Sequence, residues 1–464
     1  MAANMASATD TAVLRQAFGG TVLTPGHDGY DDARAIFNGM VDTHPAVIAQ
    51  CTRVDDVAAA LAFARDQGLE VAVRGGGHGV AGTGTTDGGI VIDLHRMNTV
   101  EVDPDARTVR VDGGATWGDV DAACQPHGLA TTGGRDSQTG VAGLTLGGGS
   151  GWLERKFGMA CDNLLSVELV TADGRQINAS EDEHPELFWA LHGGGGNFGI
   201  ATALTFRLHP LPVTTFGLLL YSPDAAPVVV RGFRDLFEGG APDELGGAVF
   251  YCTGPPEEFV PDHLVDRLCV MVIAVHAGPE AEARELLTPL LELGPDAQMV
   301  TEMPYDHIQH AMDATPGQRN YWSAEHLATF PDEAADAFCA RAHDMVVPSE
   351  SGHIIFPWGG AVARDADRWP VAGRDAPWCV HPLGSWPDPA DDEQGITWAK
   401  GVRADMAPFA ADGAYLNFTV DEGQARTVAG YGGAATYRRL AKVKAVYDPD
   451  NLFRRNHNIP PAIS

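Results

Sequence analysis

Three glycine-rich tracts, at 75–89, 133–151 and 193–199, are the parts of this chain best suited to hold a ligand, and the first carries a histidine: Arg74-Gly-Gly-Gly-His78-Gly-Val-Ala-Gly82. Residues without a Cβ let backbone N–H groups converge on an anion, so Gly75–Gly79 could hold a pyrophosphate; a turn-rich linker would look similar. Gly77-His-Gly79-Val-Ala-Gly82 also matches G-x-G-x-x-G, but that dinucleotide fingerprint needs a helix to receive the phosphates. Here Thr83-Gly-Thr-Thr-Asp-Gly-Gly89 follows, and then the apolar run Ile90–Leu94. The Rossmann reading is rejected, and the lack of any G-K-[ST] rejects a P-loop. Three tracts in one chain favour a ligand over a linker.

The flanking patterns supply the elements that position these tracts. Val47–Cys51 reads as a strand, and Thr52 and Asp55 form a T-x-x-D capping signature. Val54, Val57, Ala58 and Leu61 then recur at helical spacing until Gly68, and Leu69–Val73 is a strand that runs into the histidine loop. Further strands are expected at Ile90–Leu94, Val100–Val102, Val109–Val111, Leu165–Asp173 and Ile200–Leu208, with a short helix at Pro185–His192. The composition shifts near Pro210 and Pro212. From about 214 to 410 come strands such as Leu268–Val275, His353–Phe356 and Ala361–Ala363, and the amphipathic helix Glu280–Leu291. This mixture predicts an antiparallel sheet with helices on one face. The expected class is therefore α+β, with residues 1–212 and 411–464 forming one domain interrupted by a second at 213–410.

Composition narrows the function classes. With 62 Asp+Glu against 31 Lys+Arg, a formal charge of −31, the chain lacks the basic footprint that nucleic acid or anionic lipid demands. No run of ~18 apolar residues suggests a membrane span, and the N-terminus does not read as a signal peptide. Seven cysteines with no C-x-x-C imply neither a disulfide framework nor a zinc ribbon. A cytoplasmic protein with no metal site is expected.

Several motifs in order carry a resemblance: VRGGGHGVAG, DGGIVIDL, TGVAGLTLGGGSGWL, DNLLSVELVTADG, ELFWALHGGGGNFGI and the C-terminal YDPDNLFRRNHNIPP. Together they resemble the berberine bridge enzyme-like FAD-linked oxidases of the p-cresol methylhydroxylase / vanillyl-alcohol oxidase superfamily. The resemblance implies a two-part FAD domain around a substrate domain, with FAD bonded covalently to His78. Many relatives add a second bond, from a cysteine whose matching position here is Asp136. Cys161 is not that position, so a single covalent bond is expected, as in the hydroxynicotine oxidase-like members. By the same resemblance Arg74, Gly75, Gly76, Gly77, Gly79, Val80, Thr139, Gly140, Gly143, Gly147, Gly149, Asn163, Gly199, Ile200 and Asn417 contact the cofactor. Tyr415, in Tyr415-Leu-Asn417, stands over the flavin as a candidate base; its alternative is a core tyrosine. Tyr321, Trp322, His353, Trp358, His381 and Trp386 are candidate substrate contacts, because a pocket beside a flat cofactor favours aromatics. The implied reaction passes a hydride from a small-molecule C–H bond to flavin, with dioxygen as acceptor. A dehydrogenase with another acceptor and a non-catalytic flavin-binding protein are the rivals.

Overall fold

The computed structural model describes residues 10–463. Val47–Gln50, Ile90–Asp93 and Val71–Arg74 pair in parallel, and Thr21–Leu23 adds an antiparallel edge. The helix Val54–Gln67 crosses between Val47–Gln50 and Val71–Arg74, burying Val57, Ala60, Leu61 and Ala64 against them. Its start departs from the sequence expectation. Asp56, not Asp55, accepts hydrogen bonds from the backbone N–H and hydroxyl of Thr52, and also from the backbone of Gly19. Gly68, at φ 63°, ends the helix in the left-handed conformation that a Cβ disfavours.

A second, antiparallel sheet runs Val100–Asp103, Thr108–Asp112, Ile200–Arg207, Leu164–Val170, Gln176–Ser180. Its core includes Leu416, Tyr431, Leu440 and Ile459, so the end of the chain packs with residues 109–208. Lys444 and Asp448, both fully buried, lock that return. The lysine Nζ lies 2.5 Å from the carboxylate and donates to the carbonyls of Asn197 and Phe453.

Between these parts lies an eight-stranded antiparallel sheet. Its order is Ala297–Glu302, Thr215–Tyr221, Leu268–His276, Leu245–Thr253, Gly352–Pro357, Trp378–Trp386, Arg319–Trp322, with Glu325–Leu327 also paired to Trp378–Trp386. The helices Ala226–Glu238, Glu280–Leu291, Asp332–Arg341 and Asp392–Met406 cover one face. The opposite face turns toward the glycine tracts. The molecule is α+β.

Strand geometry decides which side chain goes where, because successive residues point to opposite faces. Leu245, Val249, Tyr251, Ile355, Trp378 and Val380 pack under the helices. Ala248, Phe250, Ile354, Phe356, His381 and Leu383 line the other side. Both faces are apolar, so hydrophobicity alone cannot tell them apart.

Candidate active site

The parallel strand Val71–Arg74 delivers the histidine loop. Arg74 pairs in register with Asp93, and its guanidinium lies 2.6 Å from that carboxylate, which pins the loop's first residue. The backbone then meets the second glycine tract. A Cβ on Gly76 would lie 2.6 Å from the backbone nitrogen of Gly140, and one on Gly140 would lie 2.5 Å from that of Gly76. Two main chains thus touch where only glycine permits it. Beyond Gly140 the chain forms a short helix, Val141–Leu146, where the sequence suggested only loop.

Between this glycine wall and the sheet lies a cavity of about 350 Å³. Arg74, Gly75, Gly76, Gly77, His78, Gly79, Val80, Thr139, Gly140, Gly143 and Asn417 all line it. Opposite them stand Phe250, Trp322, Ile354, Phe356, His381 and Leu383. A second cavity of about 210 Å³ continues from Gly75, Thr83, Gly143 and Asn417 past Gly147 to Gly199, Ile200 and Arg455–His457. Asn417 is built into the join. Its amide donates to the Leu144 carbonyl, and its oxygen occupies the space a Cβ on Gly147 would need.

His78 stacks on Phe37 at 3.9 Å, and its Nε2 lies 3.3 Å from the Asp136 carboxylate. Burial disfavours the Asp136 charge. The contact with His78 and the backbone N–H groups of Ala314 and Gln138 outweigh it and hold the carboxyl below its ordinary value. His381 is fixed differently. Its Nδ1 lies 2.7 Å from the Ser323 carbonyl, which can only accept, so Nε2 is a bare acceptor with no partner among the described residues. Burial, opposed by that carbonyl and reinforced by nearby Arg135, drops its pKa to about 3 and keeps it neutral. Phe418 stacks on it at 4.1 Å.

Not every expected residue reaches the cavity. His353 and Tyr321 fall on the helix-covered face: His353 packs 4.0 Å from Phe338, and Tyr321 joins the core beneath the helices. Trp386 donates to Asp392 at the start of a covering helix. Trp358 is buried between His326 and Tyr415. Asn163 donates to the Phe157 and Met159 carbonyls and contacts His209, a local structural role. Gly149 lies behind the wall, donating its N–H to Tyr415. Cys161 is fully buried outside both cavities, and burial raises its thiol pKa.

Tyr415 is buried at the cavity's edge rather than in its lining. Its oxygen accepts from the backbone N–H groups of Gly149 and Ser150, at 3.0 and 2.6 Å, and from the Asn417 amide at 3.1 Å. No acceptor for its own proton occurs among the described residues. Burial pushes the phenol pKa up, and those three donors work against it.

Sequence reasoning missed Phe250, Ile354, Phe356, Trp152 and Arg135, which complete the far wall. For Phe250, Ile354 and Phe356 strand parity was the available signal, just as Leu383 follows once His381 is placed inward; Arg135 and Trp152 lie outside the strands. Arg135 spreads its guanidinium over Phe356 at 3.9 Å and pairs with Glu154 at 2.5 Å.

Residues 45–180 match the family model "FAD binding domain", and residues 414–460 match "Berberine and berberine like". The chain is 33% identical over 455 residues to (R)-6-hydroxynicotine oxidase of Paenarthrobacter nicotinovorans, covering 95% of this chain and 97% of that one. It belongs to the berberine bridge enzyme-like FAD-linked oxidoreductases. The crystal structure of 6-hydroxy-D-nicotine oxidase from Arthrobacter nicotinovorans superposes with a TM-score of 0.84 at 32% identity, covering 96% and 98% of the two chains. Glucooligosaccharide oxidase of Acremonium strictum, with a 6-S-cysteinyl, 8α-N1-histidyl FAD, shares the fold at 23% identity, TM-score 0.85 and coverage of 98% and 99%. The two connected cavities suit the family's cofactor. Glycines line both where a side chain would intrude, and the second holds buried polar atoms of Arg455 and Asn456 that have no partner among the described residues.

Proposed function

We propose that this oxidoreductase is an oxidase holding FAD by a single covalent bond to His78 and oxidising a flat, largely apolar small molecule. The observation that carries this reading is one cavity with His78 and a glycine wall on one side and aromatic side chains on the other. Bound there, FAD supplies a two-electron acceptor for a substrate C–H bond and passes those electrons to dioxygen. The chain's own residues do the rest. The glycine tracts, with Arg455 and Asn456, bind the cofactor. Trp322, Phe356 and Phe418 line the cavity with apolar rings that shield it from water, and His381 Nε2 offers an acceptor to a substrate O–H or N–H. Tyr415 is the proposed base. Its three donors favour the phenolate that could take a proton, against burial, which raises the phenol's pKa overall. Its place at the cavity edge requires direct reach or one intervening water.

The test starts with purified protein, which should be yellow with one FAD per chain. Flavin should remain with acid-precipitated wild type, be released from His78→Ala and stay with Cys161→Ala. A peroxide-reporting screen of cyclic amines, alcohols, sugars and phenolic substrates then identifies the donor. Bleaching without peroxide in air would instead mark a dehydrogenase. Flavin lost from wild type on acid treatment would overturn the covalent reading.

A further inference from the structure

We propose that Asp136 is the proton acceptor that activates His78 for its bond to FAD, so that a carboxylate–imidazole pair lets this chain attach its own cofactor. The inference rests on the reading that His78 carries the link. Asp136 is the carboxylate in contact with His78, Oδ2 to Nε2 at 3.3 Å, and both side chains are largely shielded from solvent. Nε2 is buried and has no other partner among the described residues. The imidazole plane is set by its stack on Phe37.

The carboxylate is also held from two directions. Its Oδ1 accepts the backbone N–H of Gln138, and its Oδ2 accepts that of Ala314, from a distant part of the chain. The neighbouring residue repeats the clamp: the N–H and hydroxyl of Ser137 reach the two oxygens of Asp313 at 2.7 and 2.5 Å. An aspartate fastened this firmly cannot swing away from the imidazole, and the ionised form favoured here is the one able to take a proton. Nothing in the oxidation of substrate uses this contact.

The chemistry balances as follows. A bond forms between imidazole nitrogen and the carbon of the flavin's ring methyl, while that carbon loses one proton and the imidazole another. The two electrons left on the ring system pass to dioxygen, which leaves as hydrogen peroxide. Asp136 receives the imidazole proton. Because Nε2 faces the carboxylate, Nδ1 is the nitrogen assigned to the new bond.

Full-length apoprotein from flavin-limited cells, incubated with FAD, tests this through two separate readouts: total bound flavin and the acid-stable fraction over time. Asp136→Asn keeps the shape and removes the basicity. It should bind FAD while forming the covalent bond about 100-fold more slowly, within the range a positioned base contributes. Asp136→Ala supplemented with formate, a small carboxylate sized for the gap, should recover at least a tenfold faster rate than without it. Covalent incorporation in Asp136→Asn within threefold of wild type overturns the proposal. If Asp136→Asn fails to fold or to bind FAD, the formate experiment decides: rescue supports the proposal, and no rescue overturns it. Wild type that holds no acid-stable flavin would overturn the reading beneath, which this variant comparison cannot mimic.

Discussion

The two walls of the cavity are built on opposite principles. The glycine wall is built on backbone contact: Gly76 and Gly140 touch main chain to main chain, and no side chain fits at that contact. The facing wall is made largely of side chains, many of them carried by alternate residues of the eight-stranded sheet, with Arg135 added from the second glycine tract and Trp152 from just after it. A backbone wall tolerates no added atom, so it suits a ligand that never changes. A side-chain wall can exchange one residue for another without moving a strand, so it suits the part of the ligand that differs between relatives.

The strongest challenge to this contrast is to add one methyl group to the backbone wall. Gly140→Ala places its Cβ against Gly76, and the expected product retains no FAD, read as flavin absorbance per folded chain. Phe356→Ala should keep its full flavin complement, and equal flavin in both variants would erase the distinction.

Tyr415→Phe separates chemistry from binding at the seam between the walls. Packing against Trp358 and Phe418 survives, and only the hydroxyl is lost. Anaerobic flavin bleaching at saturating substrate should slow by ~10²–10⁴-fold. A drop below about threefold, far under the range for a positioned base, would return Tyr415 to a structural role.

The side-chain wall makes a sharper prediction about parity. His381 and His353 lie on adjacent strands, with pKa values of about 3 in both, yet they face opposite ways. His381→Leu should raise KM about tenfold, roughly one hydrogen bond, with flavin content unchanged. His353→Leu removes two ring nitrogens that have no partner among the described residues from the helix-covered core, and should leave KM alone while raising the melting temperature. The same KM change in both would mean the two faces are misassigned.

The smallest effect tests the scaffold behind Arg135. Asp121 is fully buried, and Gln309 bridges it to the Gly134 carbonyl. Burial raises its carboxyl to about 8, against the pull of Gln309, so the folded protein keeps it protonated near neutrality. In the unfolded chain it ionises near ~4, so its presence lowers stability progressively as pH rises from about 4 to about 8. Asp121→Asn should therefore raise the melting temperature more at pH 8 than at pH 5. An equal shift at both values would show that Asp121 is ionised in the fold.

This difference between the walls also explains what the sequence revealed. Glycine tracts are read directly, because a missing Cβ is a property of composition, and all of Gly75, Gly76, Gly77, Gly79, Gly140 and Gly143 line the cavity. The α+β class followed from alternating apolar periods interrupted near Pro210. Aromatic residues were harder. Tyr321 and Trp322 are adjacent and both bulky, and only the strand's phase sends Trp322 inward and Tyr321 beneath the helices. Where both faces of a sheet are apolar, phase leaves no mark in hydrophobicity. Asp136, a departure from a cysteine in sequence, becomes a partner of His78 only when the fold brings residues 78 and 136 together.

The lock between Lys444 and the carbonyl of Asn197 spans 247 residues of chain. Asn197 belongs to the third glycine tract, so that tract is made early and fastened late. At ~5–20 residues per second, a ribosome needs on the order of 10–50 s to supply the missing lysine. Through that interval the glycine tracts are present without the segment that closes them, and the sheet carrying the aromatic wall is still being synthesised. A nascent chain stalled before residue 444 would lack Arg455–His457, and with them one end of the second cavity.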